Sequence, residues 1–379
     1  NEEQNGFDIN FQHLKKRNIW NEELQSFFCD NPDRNIEKHY KEKNTPLIIA
    51  IKKGNIEIAE NLLQQSNIDL NIKFTSSYAI YQNGKDIGYY NGMESKAILF
   101  LAAEEGYWEI IQQLINKKDV DINEINIINN LENNINLTAL HIAISNEHIQ
   151  AVKILLESKN IDTNIRFFEE KDCFGKYYKT PLIIAIEKGN SQIVQLLLSI
   201  KKTDPNLTYT SYTMSCFADG DDVSSVYEKL TPLQIATDKN NEEIVKLLLS
   251  TKKINVNEYT AIHYNTIQKT ALHIAVEKQN YNIVQLLLSY DGIDVNSIAY
   301  YRYYFEKRYE CYLYKESKSE QRTALFIAVE NENIKIIELL LKQKGINKDK
   351  ELVFESVEGN TILHQDQHKK EIKTVMDVA

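Results

Sequence analysis

Two histidines four residues apart, in His364-Gln365-Asp366-Gln367-His368, have the i, i+4 spacing with which H-E-x-x-H helices hold zinc. The glutamate that would serve as general base is Gln365 here, and no third ligand follows, so no metal site is read from the pair. Asp219-Gly220-Asp221-Asp222 opens like a calcium loop but lacks the later ligands and the bidentate glutamate, which leaves an exposed acidic turn. Nucleotide chemistry finds nothing: the chain has no G-x-G-x-x-G, no G-K-[ST] and no kinase-like set. No Ser/His/Asp or Cys/His set can be assembled by spacing. The expectation is a non-enzymatic chain with no catalytic, cofactor-binding or metal-binding site. Asn136-Leu137-Thr138 and Asn206-Leu207-Thr208 match the glycosylation sequon, but no signal peptide is read at the first residue and Thr138 stands where a helix cap is expected.

The remaining chemistry is that of recognition. From Tyr300 to Tyr314 the chain reads YYRYYFEKRYECYLY, eight aromatics in fifteen residues. If Glu306-Lys307-Arg308 is a hairpin turn, Tyr301, Tyr303 and Phe305 face one way and Tyr300, Arg302 and Tyr304 the other. Tyr and Arg are frequent interface anchors, so partner binding is one reading. Cross-strand packing that steadies an otherwise marginal two-stranded ribbon is the other. The candidate partner-binding set is Tyr300, Tyr301, Arg302, Tyr303, Tyr304, Phe305, Tyr309, Tyr312 and Tyr314, joined by Tyr89, Tyr90, Tyr209 and Tyr212 from similar stretches.

These stretches are spaced by a recurring phrase, clearest at Thr45–Asn71. It restarts at Ala97, Thr138, Thr180, Thr231, Thr270 and Thr323, with a worn copy at Thr361. Two residues after each start stands leucine, from Leu47 to Leu363, and five after it alanine, from Ala50 to Ala328, failing only at Asp366. A later apolar pair recurs, as in Leu62-Leu63 and Leu287-Leu288, and copies close on Asn71, Asn123, Asn164, Asn206, Asn257 and Asn296, with Asp349 in the seventh. Threonine before proline at Thr45, Thr180 and Thr231 supplies a hydroxyl cap ahead of a residue that fits the first helical turn. Gly54, Gly106 and Gly189 then allow a left-handed stop, where Glu147, Asn240, Gln279 and Glu332 must do so in other copies. A second helix follows, with Ile58, Ala59, Leu62 and Leu63 on one face. One such pair cannot bury its face alone, so neighbours must stack.

The phrase resembles the ankyrin repeat across most of Thr45–Asp349: Thr270-Ala271-Leu272-His273-Ile274-Ala275 and Asp294-Val295-Asn296 are close matches. The resemblance implies a mainly α fold, an ankyrin-repeat solenoid of stacked helix-turn-helix pairs with projecting, partly elongated β-hairpins. It also implies that His141 and His273 tie one unit's turn to the next. His is kept only at His141, His273 and His364, the equivalent places holding Ile48, Phe100, Ile183, Gln234 and Phe326, so apolar packing should replace part of that polar ladder. Successive starts lie 52, 41, 42, 51, 39, 53 and 38 residues apart, against about 33 for the family. The excess falls between closing asparagine and next start, where the family projects a finger. Three fingers are long, residues 72–96, 207–230 and 297–322, with turn signals at Asn83-Gly84 and Asp219-Gly220.

The expected organisation is 1–44 as the tail of an upstream repeat plus a linker or cap, 45–360 as seven repeats, and 361–379 as a degenerate or truncated capping repeat. Gly6–Asn10 looks like a repeat exit, and Leu14, Trp20, Leu24, Phe27 and Phe28 could form a closing amphipathic helix before a turn at Asn31-Pro32-Asp33. A net charge of −10 argues against nucleic acid as main partner. No apolar run is long enough to span a membrane. Cys29, Cys173, Cys216 and Cys311 are far apart and read as unpaired thiols in a reducing, cytoplasmic setting. The function expected is a protein-binding scaffold or adaptor, partner unknown. The alternatives are the regulatory arm of a larger enzyme or membrane channel, or a structural part of a cytoskeletal assembly.

Overall fold

The computed structural model describes residues 13–19, 36–82, 85–86, 92–129, 133–171, 175–216, 223–262, 267–309, 312–360 and 365–377. It divides into two compact units, residues 1–173 and 174–379. In the first unit three helix pairs follow the starts at Thr45, Ala97 and Thr138: α1 (Pro46–Lys52) with α2 (Ile56–Leu63), α3 (Ile98–Glu105) with α4 (Trp108–Ile115), and α5 (Ala139–Ser145) with α6 (Ile149–Glu157). In the second, four pairs follow Thr180, Thr231, Thr270 and Thr323: α7 (Pro181–Lys188) with α8 (Ser191–Ser199), α9 (Pro232–Asp238) with α10 (Glu242–Ser250), α11 (Ala271–Glu277) with α12 (Tyr281–Leu288), and α13 (Ala324–Glu330) with α14 (Ile334–Leu341). Within each unit first helices pack on first helices and second on second. The recurring alanines make this close approach possible: Ala102, Ala143, Ala185, Ala236, Ala275 and Ala328 are wholly buried.

The helices begin and end as their residues dictate. Thr45 and Thr180 Oγ1 each accept from the backbone N–H three residues on, at 3.3 Å, with proline in the first turn. Gly54, Gly106 and Gly189 have φ of 70°, 78° and 73°, and Glu147, Asn240, Gln279 and Glu332 are held at 58°, 55°, 56° and 54° in their stead. A side chain in that region costs roughly 1–2 kcal/mol, partly offset by the entropy glycine loses on folding. Gln279→Gly and Glu332→Gly should therefore each stabilise the second unit by about 0.5 kcal/mol, read as a rise in denaturation midpoint with unchanged m-value. A fall in midpoint would show that these side chains hold the turn by contacts of their own.

The closing asparagines join neighbouring exits. Asn257 Nδ2 donates to Gly292 O at 2.8 Å while its Oδ1 accepts the Asp294 N–H at 2.9 Å. Asn123 makes the same double bond to Asn160 and Asp162, Asn206 to Lys253 and Asn255, and Asn296 to Gly345 and Asn347. Each such amide pins one exit turn to the next.

Between repeats the fingers pair with one another, so each unit carries an antiparallel sheet. The first runs β1 (His13–Ile19), β2 (Ile36–Asn44), β3 (Phe74–Gln82), β5 (Gly92–Lys96), β6 (Asn126–Asn129), β7 (Asn133–Leu137) and β8 (Phe167–Lys171), with β4 (Lys85–Asp86) against the end of β3. The second runs β9 (Gly175–Lys179), β10 (Tyr209–Cys216), β11 (Val223–Leu230), β12 (Ala261–Ile262), β13 (Ile267–Gln268), β14 (Ile298–Tyr309), β15 (Tyr312–Thr323), β16 (Leu352–Asn360) and β17 (Gln365–Lys373). About as many described residues stand in strands as in helices, so the mainly α weighting does not describe the chain.

Three local expectations are corrected. Leu14 lies in β1, paired with Lys43, rather than in a closing helix, because His13–Ile19 is strand, antiparallel to β2; Trp20, Leu24, Phe27, Phe28, Asn31–Asp33 and Gly6–Asn10 lie outside the described residues. Among the described residues no α-helix follows the worn copy at Thr361, itself outside them, since Gln365–Lys373 is strand, paired rung for rung with Leu352–Asn360. The cap recurs instead at Thr374, whose N–H and hydroxyl both donate to the Asp377 carboxylate at 2.6 and 2.8 Å. Glu306-Lys307-Arg308 is no turn: Lys307 pairs with Tyr314, Arg308 with Leu313 and Tyr309 with Tyr312. Aromatic and branched residues on both strands extend the ladder past it, and the strands are joined through 310–311, outside the described residues.

Candidate functional site

Four finger bases are fastened to the helix beside them. The residue before the start pairs with a carboxylate at the last or next-to-last position of the first helix: Lys96 with Glu104 at 2.9 Å, Lys179 with Glu187 at 2.8 Å, Lys269 with Glu277 at 2.6 Å and Arg322 with Glu330 at 2.9 Å. In the second unit the tyrosine finger adds to this. The Tyr301 hydroxyl donates to Glu277, the Arg322 guanidinium lies 5.3 Å from the centre of the Tyr301 ring, and Glu320, only 5% exposed, meets both Lys318 and Arg322. Burial, with Glu277 beside it, pushes the Tyr301 hydroxyl far above its ordinary range. Burial alone would raise the Glu320 carboxyl, but its bonds to Lys318 and Arg322 prevail and hold it low.

Strand alternation therefore sorts the candidate tyrosines onto two faces. Tyr301 is 6% exposed and Tyr303 half-buried on the face toward the helices, whereas Tyr300 is 41% exposed and Arg302 exposed on the outer face. Tyr209 lies half-buried on the helix-facing side, its hydroxyl pushed by burial up to about 12. Tyr212 is 45% exposed on the outer face, opposite Tyr227 in register. Ring centres lie 5.0 Å apart for Tyr212 and Tyr227 and 6.2 Å for Tyr212 and Tyr178, so three strands carry one aromatic strip. The backbones of Tyr304, Phe305, Tyr309, Tyr312 and Tyr314 lie in β14 and β15, while their side chains, like all of Tyr89 and Tyr90, lie outside the described residues.

Asp219–Asp222 and His364 lie outside the described residues, and His368 falls in β17 rather than on a helix. Among the described residues no group of three or more His, Cys, Asp or Glu side chains is arranged to hold a metal ion, and no helix is long and apolar enough to cross a membrane.

Comparison with known families supports the repeat assignment. A model described as "Ankyrin repeats (3 copies)" matches residues 76–167, 99–209 and 210–299, and single ankyrin-repeat models match 42–73 and 320–350. The chain belongs to the ankyrin-repeat family. Among solved structures, the crystal structure of EF0377, an ankyrin repeat protein, is similar at 19% identity and a TM-score of 0.41, covering 65% of this chain and 97% of that one. No curated protein matches the chain. Ankyrin repeats are generally protein–protein interaction modules.

The ankyrin-repeat histidine shows how the fingers are set relative to the helices. His141 Nδ1 accepts the Thr138 N–H at 3.2 Å and its Nε2 donates to Ile165 O at 3.0 Å; His273 does the same with Thr270 and Ser297. In the repeat starting at Thr231, Gln234 reproduces both bonds, accepting the Thr231 N–H at 2.8 Å and donating to Glu258 O at 2.7 Å. Where Ala97 and Phe100 replace threonine and histidine, the amide comes from the opposite strand. Asn126 Oδ1 accepts the Ala97 N–H at 2.6 Å and its Nδ2 donates to Glu124 O at 2.9 Å. Phe100 then packs among Ala97, Leu137, Ile128, Ile135 and Phe167. Ile48, Ile183 and Phe326 are likewise buried, Phe326 with its ring 5.5 Å from that of Phe354. The sequence alone did not bring out Asn126, Glu277, Tyr178 or Tyr227.

Proposed function

We propose that this ankyrin-repeat chain is a non-catalytic scaffold or adaptor that holds a partner protein on its elongated fingers, working in a reducing, cytoplasmic setting. On this reading the helix pairs stack into a solenoid, in repeats starting near Thr45, Ala97, Thr138, Thr180, Thr231, Thr270 and Thr323 and again at Thr374. Their constant geometry places the variable hairpins side by side. The observation that carries it is the outward aromatic strip of Tyr178, Tyr212 and Tyr227, with Tyr300 and Arg302 on the same face of the same sheet. Aromatic rings held on paired strands lose little freedom on binding, which favours a preformed recognition surface. Tyr301 and Tyr209 serve the other side, fixing the fingers to the helices.

Site-specific photocrosslinkers tested in the native cell should separate the faces. A crosslinker at Tyr212 or Tyr300 is expected to capture a discrete partner, while one at Tyr281, exposed on α12, captures none. Tyr300→Ser should weaken capture with melting unchanged. Equal capture from Tyr281, or none from either finger position, would overturn the reading.

A further inference from the structure

We propose that the second unit has a further binding site, on its second helices and exits rather than on the fingers, which takes an acidic protein segment carrying one apolar anchor. It is an open cavity of about 340 Å³ where the ends of α8 and α10 meet the exits that follow them, with Leu198, Leu247 and Pro205 as its apolar lining. In the first unit Gln113 on α4 donates to Glu60 on α2 at 3.0 Å and bridges the seam between second helices. Counted from the repeat starts, Gln195 stands where Glu60 does and Leu247 where Gln113 does, so that bridge cannot form here. Short serines then end both helices. The hydroxyls that line the cavity spend their protons on their own helices: Ser199 Oγ on Leu196 O at 2.6 Å, Ser250 Oγ on Leu247 O at 2.7 Å and Thr251 Oγ1 on Leu248 O at 2.8 Å. What remains to a ligand is oxygen, which accepts backbone N–H groups.

The charge comes from the two exits. Lys201 lies on the first and Lys252 and Lys253 on the second, all exposed. Lys253 Nζ donates to Lys201 O at 3.3 Å, which joins the exits beside the cavity and neutralises nothing. Among the described residues none of these three lysines forms an ion pair; Lys202 is engaged within the chain and is not counted. Asp204, the carboxylate of the first exit, holds the Asn206 N–H at 2.9 Å, and the second exit has uncharged Asn255 at the equivalent place. Glu258 beyond it takes the Asn255 amide at 2.8 Å and lies 3.7 Å from Lys229. The chain as a whole carries −10, so three unpaired lysines beside an apolar cavity are a local exception that favours a partner of opposite sign. Nucleic acid is disfavoured: the lining offers no aromatic ring for a base to stack on, and a phosphate backbone needs many more cations along its path.

The test uses the full chain and fluorescent short probes: a Glu/Gly-rich peptide with one central Leu, the same peptide with Gly for that Leu, the same with Lys for Glu, and an oligothymidylate. The acidic Leu peptide should bind, and less tightly as salt is added. Loss of its Leu should weaken binding by about tenfold, and the basic peptide should not bind. Ser250→Phe, at an exposed position, fills the cavity and should abolish binding with the melting curve unchanged. Lys201→Gln/Lys252→Gly should weaken binding by about fivefold. Lys252 holds φ of 54°, where glycine is at ease, so this variant should melt no lower than the parent chain. Tyr300→Ser, on the fingers, should leave peptide binding as it was. Equal binding of acidic and basic peptides, indifference to Ser250→Phe, loss of binding through Tyr300→Ser, tighter binding of oligothymidylate, or failure of every peptide would overturn the proposal. The finger reading is decided separately, by the crosslinks from Tyr212 and Tyr300.

Discussion

Lowering the pH from 7 to 5 should cost each unit about 2 kcal/mol through one buried histidine, His141 in the first unit and His273 in the second. Both rings are fully enclosed. Burial pushes each down from 6.5 to about 4, against the opposing pull of the backbone carbonyl that each ring N–H meets. The geometry gives a second reason: Nε2 must carry the proton to reach Ile165 or Ser297 O, so a proton added at Nδ1 would confront the backbone N–H of Thr138 or Thr270. The folded histidine stays neutral to a lower pH than the unfolded one. Above 6.5 both states are neutral and stability is full; below it the unfolded chain takes up a proton that the folded chain refuses until about 4. Stability is thus lost as pH falls through that window. Glu320, held below the ordinary 4.5 despite its burial, contributes only further down.

The same chain supplies the control. Gln234 makes both bonds of the histidine with a side chain that does not titrate. His141→Gln and His273→Gln should therefore fold at pH 7 with a cost of at most about 1 kcal/mol. They should flatten the loss between pH 7 and 5 for the unit that carries them. Denaturant midpoints at both pH values check this. A loss of equal size in the variants would assign the acid sensitivity elsewhere.

How much of this was legible in the sequence differs from one part of the repeat to another. The helix pairs were, because Thr-Pro, the recurring alanines and the glycine stop each impose a local geometry that needs no knowledge of the neighbours. Register was legible where a turn was chemically marked. Tyr209–Cys216 and Val223–Leu230 pair symmetrically about Asp219-Gly220, and Gln82 faces Lys85 across Asn83-Gly84. Counting outward from Asp219-Gly220 would have placed Tyr212 opposite Tyr227. The tyrosine finger has no such mark: its ladder runs on to Tyr309 and Tyr312, past the charged run at 306–308 that reads as a turn. Alternation still separated Tyr300 and Arg302 from Tyr301 and Tyr303, since that depends only on the strand period. It could not say which face meets the helices, because that rests on Glu277, a residue 24 positions away from Tyr301.

Asn126 was illegible for the same reason, and its removal is the second large effect. Asn126→Ala should destabilise the first unit by about 2–4 kcal/mol, since it strips partners from two backbone groups in a buried setting at once. Asn126 is only 2% exposed; it holds the N–H of Ala97 and the carbonyl of Glu124, with Leu137 O at 3.5 Å. Nothing else at that start can take over. Ala97 has no hydroxyl, and Phe100 is committed to the cluster with Leu137 and Phe167. Asn126→Asp gives a sharper sign. An ionised carboxylate would still accept from Ala97 but would face the Glu124 and Leu137 carbonyls with no proton to offer, an unpaired buried charge that costs more than the alanine at pH 7. Protonation restores the donor, so relative to the wild-type chain Asn126→Asp should recover as pH falls, the opposite of the histidine trend in the same unit. A variant equal to wild type at pH 7, or an aspartate whose deficit does not shrink with acid, would show that water rather than Asn126 satisfies the start of α3.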